Sequence, residues 1–315
     1  MRLSLHPSRR PRPAHKKPAA PRLSRPSALA ERLERAHGLD PLVHQLSDAV
    51  VRVLPAGPRT DALHGVPFGQ PAHPALVRLP LGCWTSAVLL QAFRGTERAS
   101  VVLIAAGIAG TVPAAATGLA DWSALHNDQQ RVGLVHAACQ AGAATLFAGA
   151  LALRFTGRCT GRAAGYSRVL AGTGLALATA GSYLGGHLAL RLGAGASHAE
   201  PVGHLSGLGW HDLCALDDLP DRQPVRRQLG YLSLLVYRQD DQISVLSDRC
   251  SHLGGPLHQG RIVTERGASC VTCPWHGSTF VIADGSVVHG PATARQPSFQ
   301  ARVTADRRVE LRPRP

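Results

Sequence analysis

Three long stretches of this chain contain no charged side chain. Residues 99–120, 132–153 and 169–190 each run for 22 residues without Asp, Glu, Lys or Arg. An α-helix rises about 1.5 Å per residue, so about 20 apolar residues are enough to cross the hydrocarbon core of a bilayer. Each stretch is therefore predicted to be a transmembrane helix.

A shorter uncharged run at 79–93 precedes them and reaches spanning length if residues 75–78 are included, with Arg78 extending toward the lipid headgroups. The sequence thus predicts a bundle of four transmembrane helices within residues 73–195. Buried helices of a soluble protein are the alternative. It is disfavoured because four such runs in succession leave no polar face to meet water.

The formal net charge of +14 is unevenly distributed. Residues 1–35 carry ten Lys or Arg against two Glu, and this segment is rich in Pro and Ala, which predicts a disordered basic arm. Residues 36–72 are predicted to be an amphipathic helical segment, and the helical spacing of apolar residues starts already at Ala28 and is broken at Gly38 and Pro41. The lipid bilayer is the expected partner of the arm. Nucleic acid is not, since no aromatic residue lies among the basic ones.

Two short cysteine–histidine motifs lie near the other end of the chain. Cys250-Ser-His252 and Cys273-Pro-Trp-His276 offer two thiolates and two imidazoles. Such a set can hold a [2Fe–2S] cluster, with cysteines on one iron and histidines on the other, or a tetrahedral zinc ion. Cys250, His252, Cys273 and His276 are therefore the predicted metal ligands, and the flanking residues decide between the two metals.

The segments 250–257 and 273–280 resemble the two cluster-binding loops of the Rieske ferredoxin family, and the resemblance covers residues 205–315. It implies a [2Fe–2S] cluster, one-electron transfer and a small antiparallel all-β domain. Gly290-Pro291 is similar to the third loop of that family, which shields the cluster. The predicted fold class is α+β, a four-transmembrane-helix bundle followed by this β domain.

The resemblance also carries expectations about what is lacking. Gly255 and Trp275 occupy the positions at which respiratory members have a second pair of cysteines, so no loop disulfide is expected. Only 39 residues follow His276, so we expect no catalytic oxygenase domain after the cluster. His258 and His289 flank the loops and are predicted to be exposed polar residues.

Four polar residues of the bundle are predicted to lie at the leaflet from which the Rieske domain emerges, and they are the candidate cofactor-binding residues: His73, Asp121, His136 and His187. Two imidazoles can ligate a haem, His and Asp can bind a quinone, and His with a carboxylate can bind a divalent metal. Hydrogen bonds to backbone or headgroups are the alternative. The region 69–188 resembles a family of small, poorly characterised bacterial four-helix membrane domains, through Gly69–Pro74, Asp121-Trp122 and Tyr183–Leu188.

These expectations favour a membrane-bound electron-transfer protein whose cluster exchanges electrons with a quinone or a haem b in the bundle, or with a donor or acceptor protein. A membrane-tethered ferredoxin serving a separate oxygenase or reductase, and a redox sensor, are the alternatives. A multi-pass cell-membrane location is predicted. The basic arm favours a cytoplasmic side for both termini and the Rieske domain, although the arginines of the 154–168 loop point the other way.

Overall fold

The computed structural model describes residues 25–155, 161–199, 202 and 209–314. Helices make up the first part of the described chain, and β-strands make up the second. Residues 1–24, which include most of the predicted disordered arm, lie outside the described residues.

The first two helices pack on the long helices that follow. Helix α1 (Arg25–Glu34) and helix α2 (Asp40–Val53) are separated at Gly38, and Pro41 lies in the first turn of α2, as the apolar periodicity predicts. Ala30 of α1 is fully buried in a cluster with Val132, Leu184 and Leu188. Arg131 donates a hydrogen bond to Asp40 Oδ1 over 2.6 Å, which ties α2 to the bundle.

Residues 25–34 were predicted to belong to the disordered arm, and in the structure they are helical instead. Glu34 Oε1 lies 2.7 Å from His187 Nε2, and Glu31 forms an ion pair with Arg191. The count of basic side chains gave no sign of these contacts, because the partners lie more than 150 residues further along the chain.

Two short helices connect this segment to the bundle. Helix α3 (Pro58–His64) and helix α4 (His73–Leu76) each carry a proline in the first turn, where no backbone N–H is needed. A 3₁₀ turn, Val66–Phe68, lies between them.

Four longer helices form the bundle, namely α5 (Arg78–Leu90), α6 (Glu97–Ser123), α7 (Asn127–Phe155) and α8 (Gly161–Leu190). Trp84 stacks on Phe147 with ring centroids 4.5 Å apart. Gly107 makes room for the indole, since a Cβ there would lie 2.3 Å from Trp84 Nε1. Small residues thus let the helices approach closely.

Within the described residues, two helices, α6 and α7, are both long and apolar enough to cross a membrane. Helix α8 has 30 residues, whereas α5 has 13, fewer than the roughly 20 that span the hydrocarbon core. The count of four transmembrane helices therefore stays a prediction.

The β domain consists of two antiparallel sheets, as predicted. One sheet has six strands in the order β1-β10-β9-β4-β3-β2, and the other has four in the order β5-β6-β7-β8. The strands are β1 (His211–Ala215), β2 (Pro224–Leu229), β3 (Leu232–Gln239), β4 (Gln242–Ser247), β5 (Arg261–Glu265), β6 (Ala268–Thr272), β7 (Thr279–Val281), β8 (Val287–His289), β9 (Ser298–Val303) and β10 (Arg308–Pro313). Residues 264–269 contain the β5–β6 turn.

Three loops of this domain meet at one place. They are the cysteine loops after β4 and β6, and the proline loop between β8 and β9. Gln296 of the proline loop joins the first cysteine loop, since its Nε2 donates to Ser247 O and Arg249 O and its Oε1 accepts from Ser251 N. Ser278 Oγ accepts from Ala292 N and joins the second cysteine loop to the proline loop.

Candidate metal centre

The two predicted cysteine ligands lie side by side beneath the loops. Cys250 follows β4 and Cys273 follows β6, and both are almost fully buried. A hydrogen bond from Cys250 lowers the pKa of Cys273 to about 7, while the same pairing and burial raise the pKa of Cys250. Backbone amides of the next residues also donate to each sulfur. One thiolate is thus readily formed, and thiolate is the form that binds iron.

The two predicted histidine ligands form a second pair. The rings of His252 and His276 have centroids 5.1 Å apart and planes at 86°. Burial lowers the pKa of His252 to about 3 and that of His276 to about 4, so both imidazoles are neutral at neutral pH and carry a free ring lone pair. His252 Nδ1 is buried and has no hydrogen-bond partner among the described residues.

These residues fit a [2Fe–2S] cluster. A buried nitrogen without a partner costs about 1–3 kcal/mol, and binding to a metal removes that cost. The thiols and the imidazoles segregate into two pairs, as a two-iron centre requires. This pairing favours two metal ions over a single zinc, whose four ligands would surround one point.

Gly255 allows the first loop to approach the second. A Cβ at this position would lie 2.8 Å from Cys273 Sγ and 3.1 Å from the Trp275 ring. The neighbouring Gly254 has φ +77°, a conformation that favours glycine. The close approach is therefore specified by two adjacent glycines of the first cysteine loop.

We expect Gly255→Ala to lower the iron content of the purified protein and to destabilise the β domain by about 1–3 kcal/mol, because the added methyl group overpacks the site. Iron analysis together with thermal unfolding measures both effects. Gly209→Ala is the matched control, since a Cβ there meets no atom within 4 Å. Equal iron content in the two variants would contradict the expected role of Gly255.

Asp248 holds the first cysteine loop in place through hydrogen bonds. Its buried carboxylate accepts hydrogen bonds from Ser233 Oγ at 3.0 Å, from His258 N at 2.7 Å and from His258 Nδ1 at 2.8 Å. His258 is thus half-buried and bonded to a carboxylate, which corrects its prediction as an exposed polar residue. No spacing pattern in the sequence marks Asp248, because its partners come from β3 and from ten residues further along the loop.

The helical domain lies against the histidine side of the centre. The ring of His126, between α6 and α7, is 5.4 Å from that of His276 and 5.3 Å from that of Trp275. A cavity of about 40 Å³ lies beside His252, and its lining includes His64, Asp121 and Pro291. This volume holds about two or three water molecules. Both predicted histidine ligands therefore face the helical domain.

His64 and Asp121 form a pair at this boundary. His64 Nδ1 lies 2.8 Å from Asp121 Oδ1, and the ring N–H donates to the carboxylate. His64 is 4% exposed. Sequence reasoning selected Asp121 but missed His64, although the pattern Asp61-x-x-His64 places two polar side chains on one face of α3.

Asp61 holds the proline loop against α3. One carboxylate oxygen accepts from Gly290 N at 2.8 Å, and the other accepts from His289 Nδ1 at 2.8 Å. His289 Nε2 lies 2.9 Å from Glu265 Oε2. The prediction that His289 is exposed is therefore wrong, because the ring lies between two carboxylates at a domain boundary.

Docking of the two domains is expected to depend on pH through His289. The hydrogen bond to Asp61, followed by that to Glu265, raises the pKa of His289 above its ordinary value. The contact is complete below about pH 6.5 and is lost as pH rises through the raised pKa. Protection factors of the proline loop, obtained from hydrogen–deuterium exchange after correction for the intrinsic rise of exchange with pH, should be lower at about pH 9 than at about pH 6. The same loss of protection in His289→Gln would contradict this origin.

The four predicted cofactor-binding residues of the bundle separate into three places. His73 and His136 come together, with ring centroids 6.4 Å apart. Asp121 is bonded to His64 at the domain boundary, and His187 is 8% exposed and bonded to Glu34 of α1. The structure therefore brings two of the four residues together.

A β domain of two antiparallel sheets, with paired cysteines and paired histidines on its loops, defines a Rieske-type iron–sulfur protein. Residues 209–300 match the family described as the Rieske [2Fe-2S] domain, and residues 69–198 match the family described as a predicted membrane protein, DUF2231. The chain belongs to the Rieske family and carries a DUF2231 domain before its Rieske domain. A Rieske domain implies a [2Fe–2S] cluster.

Several curated proteins and solved structures are similar to about a third of this chain. The anthranilate 1,2-dioxygenase ferredoxin subunit of Burkholderia cepacia is 31% identical over 102 residues, which are 32% of this chain and 90% of that protein. Apoptosis-inducing factor 3 of Mus musculus is 30% identical over 95 residues, and the match spans 30% of this chain but 15% of that protein's length. The solved ferredoxin of carbazole 1,9a-dioxygenase from Nocardioides aromaticivorans IC177 is 21% identical, with a TM-score of 0.30 over 33% of this chain and 98% of that one. The similarity to the dioxygenase ferredoxin subunit supports electron transfer by this domain.

Proposed function

We propose that the protein is a membrane-bound one-electron carrier whose Rieske cluster exchanges electrons with a quinone or redox group of the helical domain. The proposal rests on one observation, that the histidine pair faces the helical domain. His276 contacts His126, which directly precedes α7, and His252 lies beside the cavity lined by His64 and Asp121. The histidine pair is therefore the side of the candidate centre that faces the helical domain.

In this proposal Cys250 and Cys273 hold one iron, and His252 and His276 hold the other. The bound cluster supplies reversible uptake of one electron. Backbone amides that donate to the two sulfurs stabilise negative charge there. The helical domain covers the imidazoles and limits their access to water.

We further propose that α6, α7, α8 and the combined α4–α5 segment cross the cell membrane, with both termini and the Rieske domain on the cytoplasmic side. The proposed domains are the basic N-terminal segment 1–35, the amphipathic helical segment 36–72, the transmembrane domain 73–195 and the Rieske domain 205–315. Large apolar side chains that point outward from the long helices support contact with lipid, among them Val102, Val112 and Val169 at 65%, 71% and 64% exposure. The match of residues 69–198 to a predicted membrane protein family gives further support.

A second candidate is a membrane-tethered ferredoxin that serves a separate oxygenase or reductase. The similarity to the ferredoxin subunit of an anthranilate dioxygenase favours it. Trp275, which lies between Cys273 and His276 in the second cysteine loop, is half-exposed and is a surface on which a separate protein could dock.

An anaerobic reductive titration tests the two candidates. The full-length protein is placed in phosphatidylcholine vesicles containing ubiquinone and is followed by electron paramagnetic resonance. We expect a Rieske signal that appears on reduction and decays when the reductant is exhausted, because the cluster passes its electron on. A cluster that stays reduced until a soluble oxygenase component is added would favour the tethered ferredoxin.

A further inference from the structure

Two histidines of the helical domain face each other without sharing a secondary-structure element. His73 begins α4, and His136 lies about one helical turn beyond residue 132, where the uncharged part of α7 begins. Their ring centroids are 6.4 Å apart, and the ring planes are at 84°. Both side chains are half-buried. Neither residue is used by the Rieske centre.

Each of the two rings is fixed by a helix carbonyl. His73 Nδ1 lies 2.9 Å from Ala114 O, and His136 Nδ1 lies 2.7 Å from Gly181 O. A carbonyl oxygen can only accept a hydrogen bond, so Nδ1 carries the proton in both rings. Nε2 of each neutral imidazole is then left with its lone pair, the state of a histidine prepared to bind a metal.

Two glycines make this placement of the rings possible. A Cβ on Gly118 of α6 would lie 2.7 Å from His73 Cε1, and a Cβ on Gly185 of α8 would lie 3.1 Å from His136 Cε1. Each ring therefore lies directly on the backbone of a neighbouring helix. The site is built by α4, α6, α7 and α8 together, and cofactor sites of helix bundles are formed by side chains on facing helices.

The proton positions decide which ligand class fits the pair. A quinone carbonyl needs a hydrogen-bond donor, and Nε2 is an acceptor in this tautomer. A bare divalent ion needs three or four protein ligands, and no third His, Cys, Asp or Glu joins the pair within the described residues. An iron porphyrin brings four nitrogens of its own and needs two axial ligands. With metal–nitrogen distances of about 2 Å, two axial imidazoles have ring centres about 6 Å apart.

We infer that His73 and His136 are the axial ligands of a b-type haem at the end of the bundle nearer the Rieske domain. His136 follows His126 by ten residues along the chain, about 15 Å at the rise of an α-helix, and His126 contacts the predicted cluster ligand His276. The haem is then the redox group of the proposed function, and in this respect the inference rests on that proposal. The haem gains or loses one electron, which the cluster supplies or accepts.

The test uses full-length protein produced in cells supplied with iron and δ-aminolevulinate, and purified in detergent. Haem content is measured as the pyridine haemochromogen, and the cluster is measured by electron paramagnetic resonance. We expect about one haem per chain, with sharp Soret and α bands in the reduced-minus-oxidised spectrum. Wild-type protein with a full Rieske signal and no haem bands would overturn the haem site and leave the quinone form of the proposed function intact. A missing Rieske signal would instead overturn the proposed function.

Variants of the pair locate the ligands. His73→Ala and His136→Ala are expected to lower haem content about tenfold or more while the Rieske signal is kept, as befits loss of an axial ligand. His187→Gln is the matched control, since His187 lies at the same end of the bundle but is bonded to Glu34, and it should keep its haem.

His136→Met separates ligation from folding, because methionine is itself an axial haem ligand. We expect this variant to retain haem with shifted bands and a higher potential. Haem retained unchanged in all three His73 and His136 variants would overturn the assignment of these two residues.

Discussion

Replacing His252 by alanine removes the Rieske signal from the electron paramagnetic resonance spectrum of the reduced protein. His252 Nδ1 is buried without a hydrogen-bond partner among the described residues, and alanine offers the outer iron no ligand in its place. The signal should fall to background, and the iron content of the purified protein should fall with it. No other single substitution is expected to have a larger effect on the cluster.

His258→Gln is the control for this result. His258 lies in the same loop and is bonded to Asp248, so the change disturbs the loop but removes no predicted ligand. We expect the control to keep its cluster at lower thermal stability. An unchanged spectrum in His252→Ala would refute the ligand assignment.

Replacing Asp61 by alanine separates the Rieske domain from α3. The Asp61 side chain is 13% exposed and accepts two hydrogen bonds from the proline loop, one from Gly290 N and one from His289. Hydrogen bonds to a charged group contribute about 1.5–3 kcal/mol each, so the docking equilibrium should weaken by about 100-fold or more. Hydrogen–deuterium exchange should increase both in α3 and in residues 287–294.

Asp48→Ala is the control for docking, since it removes an exposed carboxylate from the preceding helix, α2. The cluster signal should be present in both variants, because Asp61 touches none of the predicted ligands. Equal protection of residues 287–294 in the wild type and in Asp61→Ala would show that other contacts hold the domains together.

The β domain was largely predictable because the sequence patterns that specify it are short. Alternating apolar residues set the strands, and the two cysteine–histidine motifs are each four residues long or shorter. The supporting residues Asp248 and Gln296 were not predictable in this way. Their partners come from other strands and loops, and no periodic pattern reports such contacts.

In the helical domain, the absence of charged residues predicted the long helices. It could not decide which polar residues pair with each other. His187 and Asp121 are diverted to Glu34 and His64, which lie before the bundle, in α1 and α3. His73 and His136 meet because glycines on two other helices leave space for their rings. The prediction that all four residues lie at one leaflet could not distinguish these pairings.

The covalent connection between the domains sets the kinetics of their encounter. Twenty residues separate Leu190, at the end of α8, from His211, at the start of β1. A Rieske domain released from α3 stays within reach of it, so its local concentration at the docking surface is on the order of millimolar. Re-docking is then a first-order process whose rate does not change on dilution. Cutting the chain in this connection would turn the same contact into a bimolecular one, and the proposed electron exchange between the halves would become dependent on protein concentration.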